Sequence, residues 1–205
     1  MAKKDITINN SQQSDKKLRT KDLIYAGAFA AIYVVLMLVV VMPCGAVPIT
    51  YILTPLFVGV IDATVYELCV LKVRKFGAAL ILGLLFAAVT TLSYLPGFGL
   101  AVAAAFLAEL VIMAGKYKSK KMYLLSYLVF NLTMVCPFTN LYFNRAAFME
   151  MSTSYYGEDY ANGVAKLATG YLPIIQIALA VVGALIGVII AAKLIKKHFE
   201  KAGIV

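Results

Sequence analysis

KDLIYAGAFAAIYVVLMLVVVMPCGAV, residues 21–47, decides the fold. The stretch opens on a lysine, runs almost wholly apolar from Leu23 to Met42, and ends in Pro43, Cys44 and Gly45 with no cation. A hydrocarbon core of about 30 Å needs about 20 apolar residues in a helix, so this stretch predicts one transmembrane span with a charged end and a kinked, uncharged end. The same unit recurs along the chain, alternately reversed. Spans are expected at about 22–42, 50–71, 76–92, 99–115, 122–143 and 171–194, with Gly, Pro or Lys marking many of the ends. Thr20, three residues before Leu23, is the expected cap of the first helix.

Composition leaves little room for any other class. Of 205 residues, 62% are hydrophobic and 14% charged, and the mean hydropathy is +0.88. A water-soluble globule could not cover such a core, whereas a bilayer can solvate it. The net charge of +9 does not point to nucleic acid, because the cations fall in short clusters between apolar runs rather than on one face. Six lie in the first 21 residues, three at 72–75, four at 116–121 and four from Lys193 onward. The other connections hold only Arg145 and Lys166, so seventeen cations stand against two. Lys and Arg near span ends are retained in the cytoplasm, which sets both ends of the chain inside. The expected fold is an all-α integral membrane protein, a compact six-helix bundle with both termini cytoplasmic. Residues 1–20 read as a disordered polar tail without the apolar stretch of a cleaved signal, and 21–205 as a single transmembrane domain.

Chemistry is expected at the uncharged end. All six prolines (Pro43, Pro48, Pro55, Pro96, Pro137, Pro173) and most of the intramembrane Thr and Asn fall toward it. Irregular backbone and polar side chains are tolerated at membrane depth only inside protein or along a cavity, so their gathering predicts an outward-facing pocket. The densest polar set, NLTMVCPFTNLYFNR at 131–145, supplies Asn131, Thr133, Thr139, Asn140, Tyr142, Asn144 and Arg145. Arg145 could hold a carboxylate or phosphate in bidentate fashion, or could pair with Glu150, Glu158 or Asp159. The connection at about 144–170 is the longest; as a lid it would bring Tyr155, Tyr156 and Tyr160 onto a ligand, or those rings could anchor the protein at the headgroups. Tyrosine and phenylalanine content suggests a planar aromatic ligand such as a tetrapyrrole.

Three acids lie within spans. Glu67 and Glu109 each precede a cation cluster and are expected to snorkel to it, while Asp62, nearer mid-span, is the candidate for a proton or coupling ion. Small residues in the first span (Ala26–Ala31) and at Gly183 and Gly187 predict close helix contacts, within the bundle or with a partner. Cys44, Cys69 and Cys136 form no CxxC and read as packing residues. No GxxxxGK[ST], HExxH or GxSxG occurs, and the single histidine is His198, so neither catalysis, a metal nor a cofactor is expected.

KLRTKDLIYAGAFAAIY (17–33), KVRKFG (72–77), AELVIMAGKYKSKK (108–121) and LIKKHFEKAGIV (194–205), in that order, resemble the Trep_Strep family of substrate-binding S components of energy-coupling factor (ECF) transporters. The resemblance spans nearly the whole chain. It implies a bacterial plasma-membrane protein that captures a vitamin or other micronutrient from outside and docks on a membrane coupling (T) subunit driven by two cytoplasmic ATPases. The family's docking alanines map onto Ala26 and Ala30. Substrate does not carry over, because the connections PCGAVPIT and SYLPGFG hold no motif tied to a ligand. The alternative is a stand-alone ion-coupled secondary transporter, which the lack of an inverted repeat disfavours.

The orientation is testable in a chain whose native cysteines are replaced. A cysteine at Ser119 stays unlabelled by a membrane-impermeant maleimide in intact cells and reacts when they are opened; labelling in intact cells reverses the topology.

Overall fold

The computed structural model describes residues 18–92 and 94–199, with the side chains of His198 and Phe199 left aside. The expected polar tail, apart from residues 18–20, and the last cation Lys201 lie outside the described residues. Among those described there is no strand. The elements are α1 (Thr20–Cys44), α2 (Pro48–Ile52), α3 (Thr54–Ile61), α4 (Ala63–Val73), α5 (Ala78–Thr90), α6 (Leu95–Ala114) and α7 (Lys120–Phe130). A 3₁₀ segment (Asn131–Phe138), α8 (Thr139–Phe143), α9 (Arg145–Tyr156), α10 (Glu158–Leu167), α11 (Leu172–Leu194) and a π-helical turn (Ile195–Phe199) follow.

Among the described residues four helices are long and apolar enough to cross a membrane: Thr20–Cys44, Leu95–Ala114, Lys120–Phe143 and Leu172–Lys197. α5 is a shorter apolar helix of 13 residues. The apolar stretch 48–73, expected as one span, is divided into α2, α3 and α4. Leu53 and Asp62, at the two divisions, keep right-handed helical backbone, so the chain bends there without reversing. Pro55 explains the first bend: it has no N–H to give to the Tyr51 carbonyl, and the Thr54 hydroxyl donates to that oxygen instead, at 2.7 Å. Ile24, Val35, Val39, Ile174 and Ile189 are exposed large apolar side chains, as helices in lipid present them.

α1 begins one residue after Arg19, whose backbone N–H donates to Asp22 Oδ2 at 2.9 Å; the cap is therefore Arg19 rather than Thr20. α1 packs on α4 and α5, α5 on α6, α6 on α7, and α11 lies most extensively against α3. Glycine permits that last approach. A Cβ at Gly187 would sit 2.2 Å from the Gly59 carbonyl oxygen, and one at Gly183 would sit 2.4 Å from that of Leu56. The patch at Gly183 and Gly187 is thus an internal contact. Aromatic rings fill the centre: Tyr66 lies 4.6 Å from Phe130 and 5.1 Å from Tyr127, centroid to centroid, and Tyr33 meets Phe130 edge-on at 5.6 Å.

The cation clusters meet at one end. Lys75 Nζ reaches Asp22 Oδ2 at 2.7 Å, Lys21 and Lys72 lie 5.8 and 5.6 Å from the Tyr25 ring centroid, and Arg74, Lys120 and Lys196 surround one cavity. Glu109 does not snorkel to these cations. Its Oε2 accepts the N–H groups of Ala79 (2.9 Å) and Leu80 (3.4 Å), and its Oε1 the Tyr117 hydroxyl (3.3 Å). A carboxylate of α6 thereby satisfies the open N-terminus of α5.

Gly187→Leu should lower stability by about 3 kcal/mol, the upper end of overpacking costs. Gly27→Ala, where nothing lies within 4 Å of the new Cβ, should leave it unchanged. Thermal unfolding of both variants in detergent micelles checks the contrast.

Candidate functional site

Two short helices cover the cation-poor end. α9 and α10 pack on each other, α9 on α8 and α10 on α2, around a small second core of Ile52, Leu141, Phe148, Val164 and Leu172. Gly157 joins them at φ +87°, a conformation that favours glycine. Pro48 fits against Gly163 so closely that a Cβ there would lie 2.8 Å from Pro48 Cγ. The expected lid connection is therefore a packed pair of helices.

Under α9 lies a cavity of about 110 Å³. Tyr51 from α2, Thr90 and Thr91 at the end of α5, Tyr94 and Gly97 at the start of α6, Cys136, Pro137, Asn140, Phe148 and Met151 line it. The threonine hydroxyls donate back to their own helix, Thr90 to the Phe86 carbonyl at 2.9 Å and Thr91 to that of Ala87 at 2.8 Å, so each offers its oxygen as an acceptor. Asn140 Oδ1 is buried and accepts no hydrogen bond from the protein. Tyr51 is held by Phe138 and Phe148, with ring centroids at 4.7 and 6.4 Å. Gly97 lets α6 close on the 3₁₀ segment and the start of α8, since a Cβ there would lie 3.0 Å from the Cys136 carbonyl oxygen and 2.8 Å from Thr139 Oγ1. Among the described residues no charged one lines this space, and a tetrapyrrole is far larger than 110 Å³.

The residues read from the sequence as one site are divided among several places. Asn140 lines the cavity. Asn131 is fully buried and gives its amide to two backbone carbonyls, Ala180 at 2.7 Å and Pro55 at 3.1 Å, which makes it a brace between α3 and α11. Thr133 is buried with a hydroxyl that no protein group meets, and it does not line the cavity. Tyr142 donates to Gln176 Oε1 and, with Arg145, borders a separate open cleft of about 530 Å³ that continues to Pro173 and Ile177. Arg145 makes none of the three expected ion pairs; its Nη2 donates to the Ala165 carbonyl at 3.0 Å, at the C-terminal end of α10 where a cation suits the helix dipole. Asn144 is exposed at the start of α9.

The remaining candidates lie apart from the cavity. Tyr155 and Tyr156 are 78% and 59% exposed and do not face the cavity, and Tyr160 instead stacks on Tyr156 at 4.6 Å. Burial and the neighbouring Tyr156 push the Tyr160 hydroxyl up to about 12. Ala26 and Ala30, mapped as docking residues, are 0% exposed, because that face of α1 packs inside the bundle. Gly27, Ala28 and Ala31 occupy the exposed face. Tyr51, Thr90, Thr91 and Tyr94 were missed; the available signal was a Thr-Thr pair at the end of an apolar run, with a tyrosine just before Pro96.

Residues 20–201 match the model of a family described as hypothetical bacterial integral membrane protein, Trep_Strep. No curated protein and no solved structure matches the chain.

Asn131→Ala, which strips both carbonyls of their side-chain donor, should lower stability by about 1–2 kcal/mol, as interhelical hydrogen bonds in membranes do. The unfolding midpoint of the purified chain reads this out, and an unchanged midpoint removes the bracing role.

Proposed function

Since the chain belongs to the Trep_Strep family of bacterial integral membrane proteins, we propose that it is the substrate-binding S component of an ECF-type importer of a vitamin or other micronutrient. In this reading the chain crosses the plasma membrane six times with both termini in the cytoplasm, α9 and α10 roof the external end, and a coupling subunit with two ATPases drives release. The observation that carries it is the uncharged cavity closed by α9 at the cation-poor end, opposite the converging cation clusters. A capture protein needs a site that opens to one side only.

The lining supports one substrate class over others. Phenol, hydroxyl, amide and thioether groups without a formal charge suit a neutral molecule that gives and accepts hydrogen bonds and presents an apolar or aromatic face. With α9 in this position about 110 Å³ holds a small fragment. A whole micronutrient enters by α9 swinging outward about Asn144 and Gly157.

Docking falls to the exposed small residues of α1. Gly27 and Ala31, four apart, allow a partner helix to approach closely, and they replace the buried Ala26 and Ala30 in this role.

A stand-alone ion-coupled carrier is the second reading, and Asp62 favours it. Its carboxylate is fully buried where α3 meets α4, and neither oxygen has a hydrogen-bond partner in the protein.

Mass spectrometry of small molecules retained by the purified chain, paired with uptake assays in cells that carry the ATPase module, tests the proposal. Asn140→Leu, which fills the cavity, should abolish retention, and Arg145→Ala should preserve it. Gly27→Leu with Ala31→Leu should preserve retention while uptake falls to background. Ion-driven uptake by the chain alone in liposomes would establish the carrier instead.

A further inference from the structure

A second cavity, of about 600 Å³, lies at the cation-rich end and takes no part in the capture site. Three helix ends form it. α4 contributes Glu67 and Leu71, with Arg74 just beyond its last residue; α7 contributes Lys120, Tyr123 and Leu124; the end of α11 and the π-helical turn contribute Ala192, Ile195 and Lys196. Arg74 stands in the left-handed conformation, φ +50°, and its Nε donates to the Leu71 carbonyl at 2.7 Å, which fixes the guanidinium stem at the rim. A single π-helical turn is an uncommon feature found frequently at functional sites, and here it carries Lys196.

Among the described residues the lining brings together three cations, Arg74, Lys120 and Lys196, and one acid, Glu67. Glu67 is 1% exposed and its Oε1 accepts no hydrogen bond from the protein; the Tyr123 hydroxyl, in a side chain 2% exposed, is likewise without a protein partner. Two buried polar groups thus border a cationic cavity, and each can bond a ligand. The rest of the wall is apolar, from Leu71, Leu124, Ala192 and Ile195. Leu125 and Leu194, next in sequence to the lining residues Leu124 and Ile195, are 47% and 37% exposed. Phosphate chemistry at the rim and hydrocarbon chemistry along the wall belong together in one kind of molecule.

We infer that this cavity binds an anionic phospholipid of the adjoining leaflet. Its phosphate lies among Arg74, Lys120 and Lys196, the Tyr123 hydroxyl donates to a phosphate or glycerol oxygen, and an acyl chain runs along Leu71, Leu124 and Ile195. A guanidinium takes phosphate in bidentate fashion while the two ammonium groups act as point charges. Basic pockets between transmembrane helices are a general means of holding such headgroups. The apolar wall selects lipid over free phosphate. This inference needs only that the chain spans a membrane, and it stands whichever substrate the opposite cavity takes.

The test uses the full purified chain in neutral detergent with equal mole fractions of phosphatidylglycerol and phosphatidylcholine, read by native mass spectrometry. Phosphatidylglycerol adducts should exceed phosphatidylcholine adducts by about tenfold, as expected for several cations converging on one headgroup. The triple variant Arg74→Gln, Lys120→Gln, Lys196→Gln should lose that excess, and Lys166→Gln in α10 should keep it. Ala192→Phe, which fills the apolar part without removing charge, should also lose it, and it decides the matter if the triple variant does not fold. Equal retention of the two lipids, or wild-type retention by Ala192→Phe, would overturn the inference. So would displacement of the lipid by an equal concentration of free glycerol phosphate, because a headgroup site would then suffice.

Discussion

A bilayer offers no water to a freed carbonyl or amide, and this chain meets that constraint at one place on which the rest depends. Pro55 bends the stretch 48–73 just before Leu56 and Gly59, where its backbone comes close to that of α11. The Thr54 hydroxyl donates to the Tyr51 carbonyl, which Pro55 cannot serve, and Asn131 reaches from the fifth apolar segment to carbonyls on both sides of the contact. Gly59, Gly183 and Gly187 remove the Cβ atoms that would hold the two backbones apart. Bend, brace and glycine seam act together. Without the brace the bend would strand polar groups in hydrocarbon, and without the seam the brace could not span the gap.

The bend has a consequence at the cation-poor end. It directs α2 toward the lid, so that Tyr51 stands between Phe138 and Phe148 and forms one wall of the small cavity, while Pro48 receives α10. A straight second span would take Pro48 and Ile52 away from α9 and α10. Their second core is built from Ile52, Leu141 and Leu172 as much as from their own Phe148 and Val164. The lid is therefore an extension of the bundle, and its displacement must break a hydrophobic core rather than merely straighten a loop.

Much of the architecture was legible because lipid makes sequences simple: apolar runs of fixed length and cations sorted by side give the helices and the shared cation-rich end. The same solvent hides the faces. α1 is apolar on every side, so nothing in its residues says that Ala26 and Ala30 turn inward while Gly27 and Ala31 face lipid. The polar set in the fifth apolar segment misled for a related reason. In water a buried asparagine at such a position marks a specific function; in a bilayer it can equally serve backbone groups, as Asn131 does. Arg145 was drawn to a helix terminus by backbone oxygens that no side-chain pattern reveals. Thr90, Thr91 and Tyr94 went unnoticed because they are few and lie where a span ends, and only the return of α9 over them gives them a common purpose.

The two cavities lie at opposite ends, and the material between them constrains how anything could pass. Tyr33, Tyr66, Tyr127 and Phe130 are each 0% exposed and touch one another in a continuous cluster, with Asp62 and Ser126 buried beside them. Opening a path through that cluster would separate several aromatic contacts at once, each of them worth about 0.5–1.5 kcal/mol. Moving α9 and α10 alone changes only the cation-poor end. The closed aromatic centre is the physical support for the proposal that a partner drives release while this chain captures.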